Sequence, residues 1–299
     1  MESVIFGAGR WSKRLKKGLE KYYGVRICAI CDNDERKWGG EIDNVIIISP
    51  QKLIDMNFDK IFVCVEKKSK YNAIEMQLVN MGIPREKIVL MKTSKEYVDA
   101  FIELDPVRRN WIKAFSEYTK ETGMLGSVAE CGVCYGETAM FINKYWPDRT
   151  LHLFDTFEGF PDKDMAYDID SFPAFKNGPF TINPFKLEDP DSMIEVVKSR
   201  MCYPDNLKIH KGCFPECAGV IEDRFCFVNL DMDLYQPQLE GLRYFWNKME
   251  LGGVILLHDY YQPDLPGVRR AVSDFEKELG DNLLKFPIGD YCSIAVIKH

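Results

Sequence analysis

Short apolar runs that stop at a glycine or an acid, each followed by a stretch with helical spacing, recur along this chain and limit the folds open to it. An extended run that turns sharply into a helix is a βα unit. Repeated, it builds a mostly parallel sheet covered by helices on both faces. Here the series runs twice, with a helical stretch between. The chain therefore reads as α/β with two doubly wound units. Its 299 residues suit that division, at roughly 100–200 residues per domain.

The first unit spans residues 1–95. Ser3 to Phe6 is an apolar strand that turns through Gly7-Ala8-Gly9 into a helix from about Ser12 to Tyr23. A second strand, Val25 to Ile30, ends at Cys31-Asp32. Val45–Ile48, Ile61–Val65 and Ile88–Met91 read as further strands, and Asn72–Met81 as a helix closed by Gly82, the residue favoured just past a helix end. The pair Gly7 and Gly9 with Asp32 downstream is a thin dinucleotide fingerprint, because Ser12 stands at its third glycine position. Without a nucleotide, the unit reads as a structural or oligomerisation domain.

Residues 96–122 form a helical connector. Val98, Phe101 and Ile102, then Trp111, Ile112 and Phe115, recur at steps of three and four. Pro106 separates two helices, and the stretch offers a surface for a homodimer. The second unit spans residues 123–299. Seven strands fit, at Ser127–Gly132, Leu151–Asp155, Leu207–Lys211, Phe225–Leu230, Val254–His258, Leu283–Phe286 and Tyr291–Ile297, the last two joined by a glycine turn as a hairpin. Helices fit at Glu137–Tyr145, Ser192–Met201, Gln236–Met249 and Val268–Leu279. Both units are Rossmann-like. Between Pro161 and Asp189 lies a long segment rich in Phe, Pro and Asp, read as an irregular lid.

Composition excludes several classes. A net charge of -7 with no clustered basic face argues against nucleic acid. No run approaches 18 apolar residues, so no membrane span is expected. The N-terminal residues lack a signal-peptide pattern, which points to the cytoplasm. Most of the ten cysteines, Cys28, Cys64, Cys226 and Cys292 among them, sit in apolar runs and read as small hydrophobes. A zinc site from Cys131, Cys134, Cys213 and Cys217 explains the turn at Cys131 less well than its glycines do.

Three signals in the second unit carry chemistry. Glu130-Cys131-Gly132-Val133-Cys134-Tyr135-Gly136 follows a strand and opens a helix, where glycines let backbone approach a ligand. One crossover later, Asp155 ends a strand, and a carboxylate there can accept from both hydroxyls of a ribose. Asp231 and Asp259 then end two adjacent parallel strands at one rim, with His258 beside them. Carboxylates so placed suit a hard divalent ion such as Mg²⁺. Alternatively, such acids merely cap the helices that follow.

The motifs Asp155-Thr156-Phe157-Glu158-Gly159-Phe160-Pro161, Lys211-Gly212-Cys213-Phe214-Pro215-Glu216, Asp231-Met232-Asp233-Leu234-Tyr235 and His258-Asp259-Tyr260 resemble the macrocin O-methyltransferase family. The resemblance covers about residues 120–299. It implies a seven-stranded class I methyltransferase sheet ending in an antiparallel hairpin. It also implies methylation of a hydroxyl on a sugar or nucleotide sugar, using S-adenosylmethionine and Mg²⁺ or another divalent cation. By the same resemblance, Glu130, Gly132 and Gly136 line the methionine end of the cofactor and Asp155 holds its ribose. Thr156, Phe157, Glu158 and Ser192 lie near it, and Gly212 and Phe214 border the adenine. Asp231 is then metal ligand and candidate base, with His258 and Asp259 as further ligands.

The family has a second aspartate where His258 stands. That change lowers the ligand charge by one and favours Mn²⁺ or another transition metal, or a metal-independent variant. The rival reading is an NAD-linked oxidoreductase or nucleotide-binding protein centred on Gly7, Gly9 and Asp32. No Tyr-x-x-x-Lys accompanies that signature within residues 1–95, and the second unit would be left without a role.

Overall fold

The structure, a computed structural model, describes residues 1–65, 68–91, 100, 106–178, 183 and 190–299. It divides into two compact units, Met1–Glu103 and Leu104–His299. The expected helix around Val98, Phe101 and Ile102 lies outside the described residues. Among the described residues, no helix is long and apolar enough to cross a membrane.

In the first unit, strands β1 (Glu2–Phe6), β2 (Arg26–Cys31), β3 (Glu41–Ile42), β4 (Val45–Ile48), β5 (Lys60–Val63) and β6 (Ile88–Leu90) form one sheet. The order is β3-β4-β2-β1-β5-β6, parallel except for the β3–β4 ribbon. Helices α1 (Arg10–Tyr23) and α2 (Lys68–Asn80) follow β1 and β5. The fingerprint residues have local structural tasks. A Cβ on Gly7, which has φ +114°, would stand 2.2 Å from the Cys64 carbonyl oxygen. Asp32 accepts from the Ala8 amide at 2.7 Å, the Asp34 amide at 2.8 Å and Lys37 Nζ at 3.0 Å. The glycine admits a neighbouring strand end, and the acid ties the turn.

In the second unit, strands β7 (Ser127–Cys131), β8 (Leu151–Asp155), β9 (Leu207–Lys211), β10 (Phe225–Leu230), β11 (Met249–Leu257), β12 (Leu284–Pro287) and β13 (Ile294–Ile297) form a seven-stranded sheet. Its order is β12-β13-β11-β10-β7-β8-β9. β7 to β11 are parallel, and β13 and β12 close the edge as an antiparallel hairpin. Strand order reverses between β7 and β10, and in open α/β sheets such a switch point leaves a crevice at the carboxyl ends.

Helix α3 (Pro106–Glu121) belongs to this unit. Phe115 packs 6.0 Å from the Phe227 ring on β10 and 6.5 Å from Trp146, and Trp146 Nε1 donates to Thr119 Oγ1. Trp146 and Phe227 are fully buried, each side chain contributing about 1.5–3 kcal/mol. The apolar phase noted in the sequence therefore anchors α3 to the sheet.

The lid departs from its irregular reading. Asp162–Ser171 (α5) and Pro173–Lys176 (α6) are helical. Asp162 and Asp164 occupy the first turn of α5, where the helix dipole favours acids. Met165, Ile169 and Phe172 pack with Phe175, Leu234, Leu265 and Val268 in a small core. The phenylalanines of the stretch, Phe172 and Phe175 among them, supply part of that core. Residues 179–182 and 184–189 of the expected lid lie outside the described residues.

The glycine turn after β7 is forced by the close approach of the backbone that leaves β10. Gly132 has φ +84°, and a Cβ there would stand 1.9 Å from the Asp231 carbonyl oxygen. Gly132→Ala should lower the stability of this unit by at least about 1–3 kcal/mol. Equilibrium denaturation checks this, and an unchanged midpoint would show that the two strand ends can separate freely.

Candidate active site

The turn from Gly132 to Gly136 is held from the neighbouring strand. Asp155 Oδ2 accepts from the amides of Val133 at 2.6 Å and Cys134 at 2.8 Å, and Oδ1 accepts from Phe157 at 2.7 Å. Bonds to an ionised acceptor are roughly twice as strong as neutral ones, so Asp155 ties β8 to the turn that leads into α4 (Glu137–Tyr145). A carboxylate has about four lone-pair sites, so its oxygens keep capacity for a ligand. Gly136 has φ +76°, and a Cβ there would crowd Val197 at 3.2 Å. Thr156 Oγ1 donates to the Gly159 carbonyl at 2.6 Å, Phe157 is buried, and Glu158 is exposed.

Gly212 and Phe214 follow β9. The Gly212 amide donates to the Asp155 carbonyl at 2.9 Å. The Phe214 ring lies 5.5 Å from Phe154 and 5.8 Å from Phe245. Ser192 lies in helix α7 (Pro190–Arg200), and its side chain lies outside the described residues.

Between β7, β10 and β11 the structure assembles a buried polar network. Asn229 Nδ2 donates to Glu130 Oε1 at 2.8 Å. The Arg108 guanidinium, from α3, donates to Asn229 Oδ1 at 3.3 Å, Thr138 Oγ1 at 3.3 Å and Asp231 Oδ2 at 2.9 Å. His258 Nδ1 lies 3.0 Å from Asp231 Oδ1 and 2.8 Å from Asp259 Oδ2. Both oxygens of Asp231 therefore face cationic partners. The Cys292 thiol donates to Asp259 Oδ1 at 3.2 Å.

Electrostatics distinguish these acids. Burial alone would raise the pKa of Asp231, but the charges of His258 and Arg108 outweigh it and hold the carboxyl well below the usual range. Burial would discharge His258, and Asp231 reverses that, so the ring is an imidazolium. Asp233 is pushed well upward, first by burial and then by Asp259 and Asp231. Burial, reinforced by Asp231, pushes Glu130 up to about 8. Glu130 Oε2 is buried and has no hydrogen-bond partner. The result is one carboxylate held ionised and oriented beside two acids, Glu130 and Asp233, that are pushed toward their neutral forms. One cationic partner must release an Asp231 oxygen before that oxygen can accept a proton.

Oxygen atoms of Asp231, Asp233 and Asp259 lie within 4.8 Å of one another, as do ligand atoms of His258, Asp259 and Cys292. Carboxylate oxygens, a ring nitrogen and a thiol so grouped are a donor set that fits a divalent cation once the His258 ring gives up its proton. Sequence reasoning assigned no role to Arg108, Asn229, Asp233 or Cys292. Arg108 could have been found, because it shares a stripe with Ile112, Ser116 and Thr119. Its charge on that otherwise buried face was the signal. Cys292, read as a hydrophobe, points its thiol at an acid instead.

The sheet order, the end hairpin and the glycine turn at the switch point define a class I methyltransferase. Residues 107–290, more than half of the chain, match the profile of the macrocin-O-methyltransferase (TylF) family, and the chain belongs to that family of methyltransferases. Residues 1–89 match a second profile, C2185-like, N-terminal. Two solved structures share the fold. One is the O-methyltransferase NovP, with 18% identity and a TM-score of 0.55, the match covering 64% of this chain and 79% of NovP. The other is CalS11, a calicheamicin methyltransferase, with 20% identity and a TM-score of 0.53, covering 77% and 92%. No curated protein matches the chain.

One further acid ties helix α5 to the start of the next helix after β10. Asp168, on α5, is fully buried and accepts from the Tyr235 amide at 3.2 Å. Tyr235 opens helix α8 (Tyr235–Trp246), directly after the Asp231-Met232-Asp233 turn. Burial pushes Asp168 up to about 7, whereas an unfolded aspartate titrates near 3.9. Between those values the folded chain holds a proton that the unfolded chain has lost, so this group lowers stability as pH rises from about 4 to about 7. Asp168→Asn, a neutral isostere, should remove that slope and stabilise the protein at pH 8 by about 1–3 kcal/mol. Denaturation across pH compares the two. Identical slopes would mean that the carboxyl is already ionised in the fold.

Proposed function

We propose that this chain is an S-adenosylmethionine-dependent O-methyltransferase that acts on a hydroxyl of a sugar or sugar-containing small molecule, assisted by a divalent cation. The observation that carries the reading is Asp231, an ionised carboxylate held at the switch point beside the glycine turn. Family membership supports the reaction class, and the family name supports an O-linked acceptor.

S-adenosylmethionine supplies a methyl group already activated on a sulfonium, so the protein's main task is to align an acceptor oxygen. Glu130, Gly132 and Gly136 would hold the methionine end, Glu130 Oε2 being a buried acceptor open to an ammonium. Asp155, with Thr156, Phe157 and Glu158, would face the ribose, and Ser192, Gly212 and Phe214 the adenine side. Asp231 would take the hydroxyl proton as the oxygen becomes nucleophilic. Arg108 keeps Asp231 oriented and ionised. Helices α5 and α6, with Tyr260 packed against their core, would wall the acceptor from water. A cation held by Asp231, His258 and Asp259 would lower the pKa of a hydroxyl bound to it.

The first unit contributes no visible chemistry to this scheme. Its Gly7 and Asp32 already serve strand contact and turn closure, so we read it as a structural attachment rather than a nucleotide site. Calorimetric titration separates the two readings. S-adenosylmethionine should bind and NAD should not, and the reverse would favour the oxidoreductase. Asp231→Asn should lower methyl transfer by at least about 100-fold with cofactor affinity retained. Transfer at the original rate would remove Asp231 from the chemistry.

A further inference from the structure

The rim that holds Asp231 carries two clusters of potential ligands that share Asp259. One is all oxygen, from Asp231, Asp233 and Asp259, and the other is mixed, from His258, Asp259 and Cys292. The all-oxygen cluster is internally compensated. Arg108 and His258 each face one Asp231 oxygen. The mixed cluster is different, because it includes a sulfur.

Topology places that sulfur. β13 runs antiparallel to β11, with Ile294 opposite Leu257. The residue two before Ile294 therefore arrives at the rim where His258 and Asp259 leave β11. The approach is built rather than loose. Buried Asp290 accepts from the Cys292 amide at 3.0 Å, the Ser293 amide at 2.7 Å and Ser293 Oγ at 2.6 Å. The Tyr261 amide donates to the Cys292 carbonyl at 3.0 Å. The backbone on both sides of the site is thus tied before any ion arrives, as a preorganised centre requires.

We propose that the cation seat of this chain is a mixed nitrogen–oxygen–sulfur site formed by His258, Asp259 and Cys292, and that it takes a borderline-soft divalent ion such as Zn²⁺ or Co²⁺ in preference to Mg²⁺. The inference rests on the cation-assisted part of the proposed function and replaces its hard-ion ligand set. His258 Nδ1 and Cys292 Sγ lie 2.8 and 3.2 Å from different oxygens of Asp259. Ligand atoms about 2.0–2.3 Å from one tetrahedral ion stand roughly 3.3–3.6 Å apart, and one ligand atom from each of the three residues already lies within 4.8 Å of the other two. Thiolate and imidazole select borderline ions, whereas Mg²⁺ demands oxygen ligands in near-octahedral order. Binding displaces two protons to solvent, one from the Cys292 thiol and one from the His258 ring, whose nitrogen turns from donor to ligand. Three protein ligands leave a coordination position for an acceptor hydroxyl, as in catalytic rather than structural sites.

The test is Co²⁺ titration of the full-length protein, freed of metal by chelation and followed by absorption. A sulfur-to-cobalt charge-transfer band should appear in the near ultraviolet and saturate at one ion per chain. Zn²⁺ should abolish it at equal concentration, and Mg²⁺ should fail to do so at about 100-fold excess. Cys292→Ser should remove the band and weaken Co²⁺ at least about tenfold, while Cys202→Ser, at an exposed thiol elsewhere, should not. Cys292→Asp, an all-oxygen donor in the same place, should shift preference toward Mg²⁺ and keeps the test valid if the serine variant folds poorly. A missing band, a band indifferent to Cys292, or ready displacement by Mg²⁺ would overturn the proposal. Calorimetry with S-adenosylmethionine on the same metal-free sample tells this failure from failure of the methyltransferase reading, which predicts binding in either case.

Discussion

The second unit is organised around a carboxylate gripped from both sides. Asp231 meets a guanidinium on one oxygen and an imidazolium on the other, and three elements must be in register for that to happen. Its own strand, β10, brings it to the switch point. β11, paired alongside, delivers His258, and α3 delivers Arg108 from outside the sheet. Buried charges are costly unless paired, and removing one partner of such a pair typically costs about 3–5 kcal/mol. The grip therefore fixes where α3 lies as well as which acid stays ionised. The neighbours yield to it, since Glu130 and Asp233 are both pushed toward their neutral forms.

The same region shows glycines and acids doing structural work. Gly132 gives way to the Asp231 backbone, and Gly136 gives way to Val197 on α7. Asp155 ties the turn through three amides. A turn already rigid before a ligand arrives loses little entropy on binding. In the first unit, the equivalent glycine and acid are engaged in the same way, by Cys64 and by the turn that Asp32 closes. There, no orphaned acceptor like Glu130 Oε2 lies at the turn among the described residues.

Local signals made much of this legible. Apolar strands ending in acids gave the positions of Asp155, Asp231 and Asp259, because the strand period and the parallel crossover bring such ends to one rim. The hairpin was readable from its glycine turn. What the residues did not disclose depends on contacts between distant segments. Arg108 reaches Asp231 across 123 residues, and one basic residue on an apolar helical stripe reads easily as solvated. Cys292 sits in an apolar run, and only the antiparallel register turns its thiol toward Asp259. Helix α5 was hidden by the Pro and Phe residues that flank it, since its stabilisation comes from packing rather than propensity.

The proposed reaction transfers a methyl group to oxygen. The most direct measurement is carbon NMR of products formed from S-adenosylmethionine labelled with ¹³C in its methyl group, incubated with the full-length protein, a divalent cation and a panel of sugars and nucleotide sugars. A new resonance is expected in the methoxy region, absent with Asp231→Asn. Label appearing on nitrogen, carbon or sulfur, or in an acceptor that carries no hydroxyl, would contradict it.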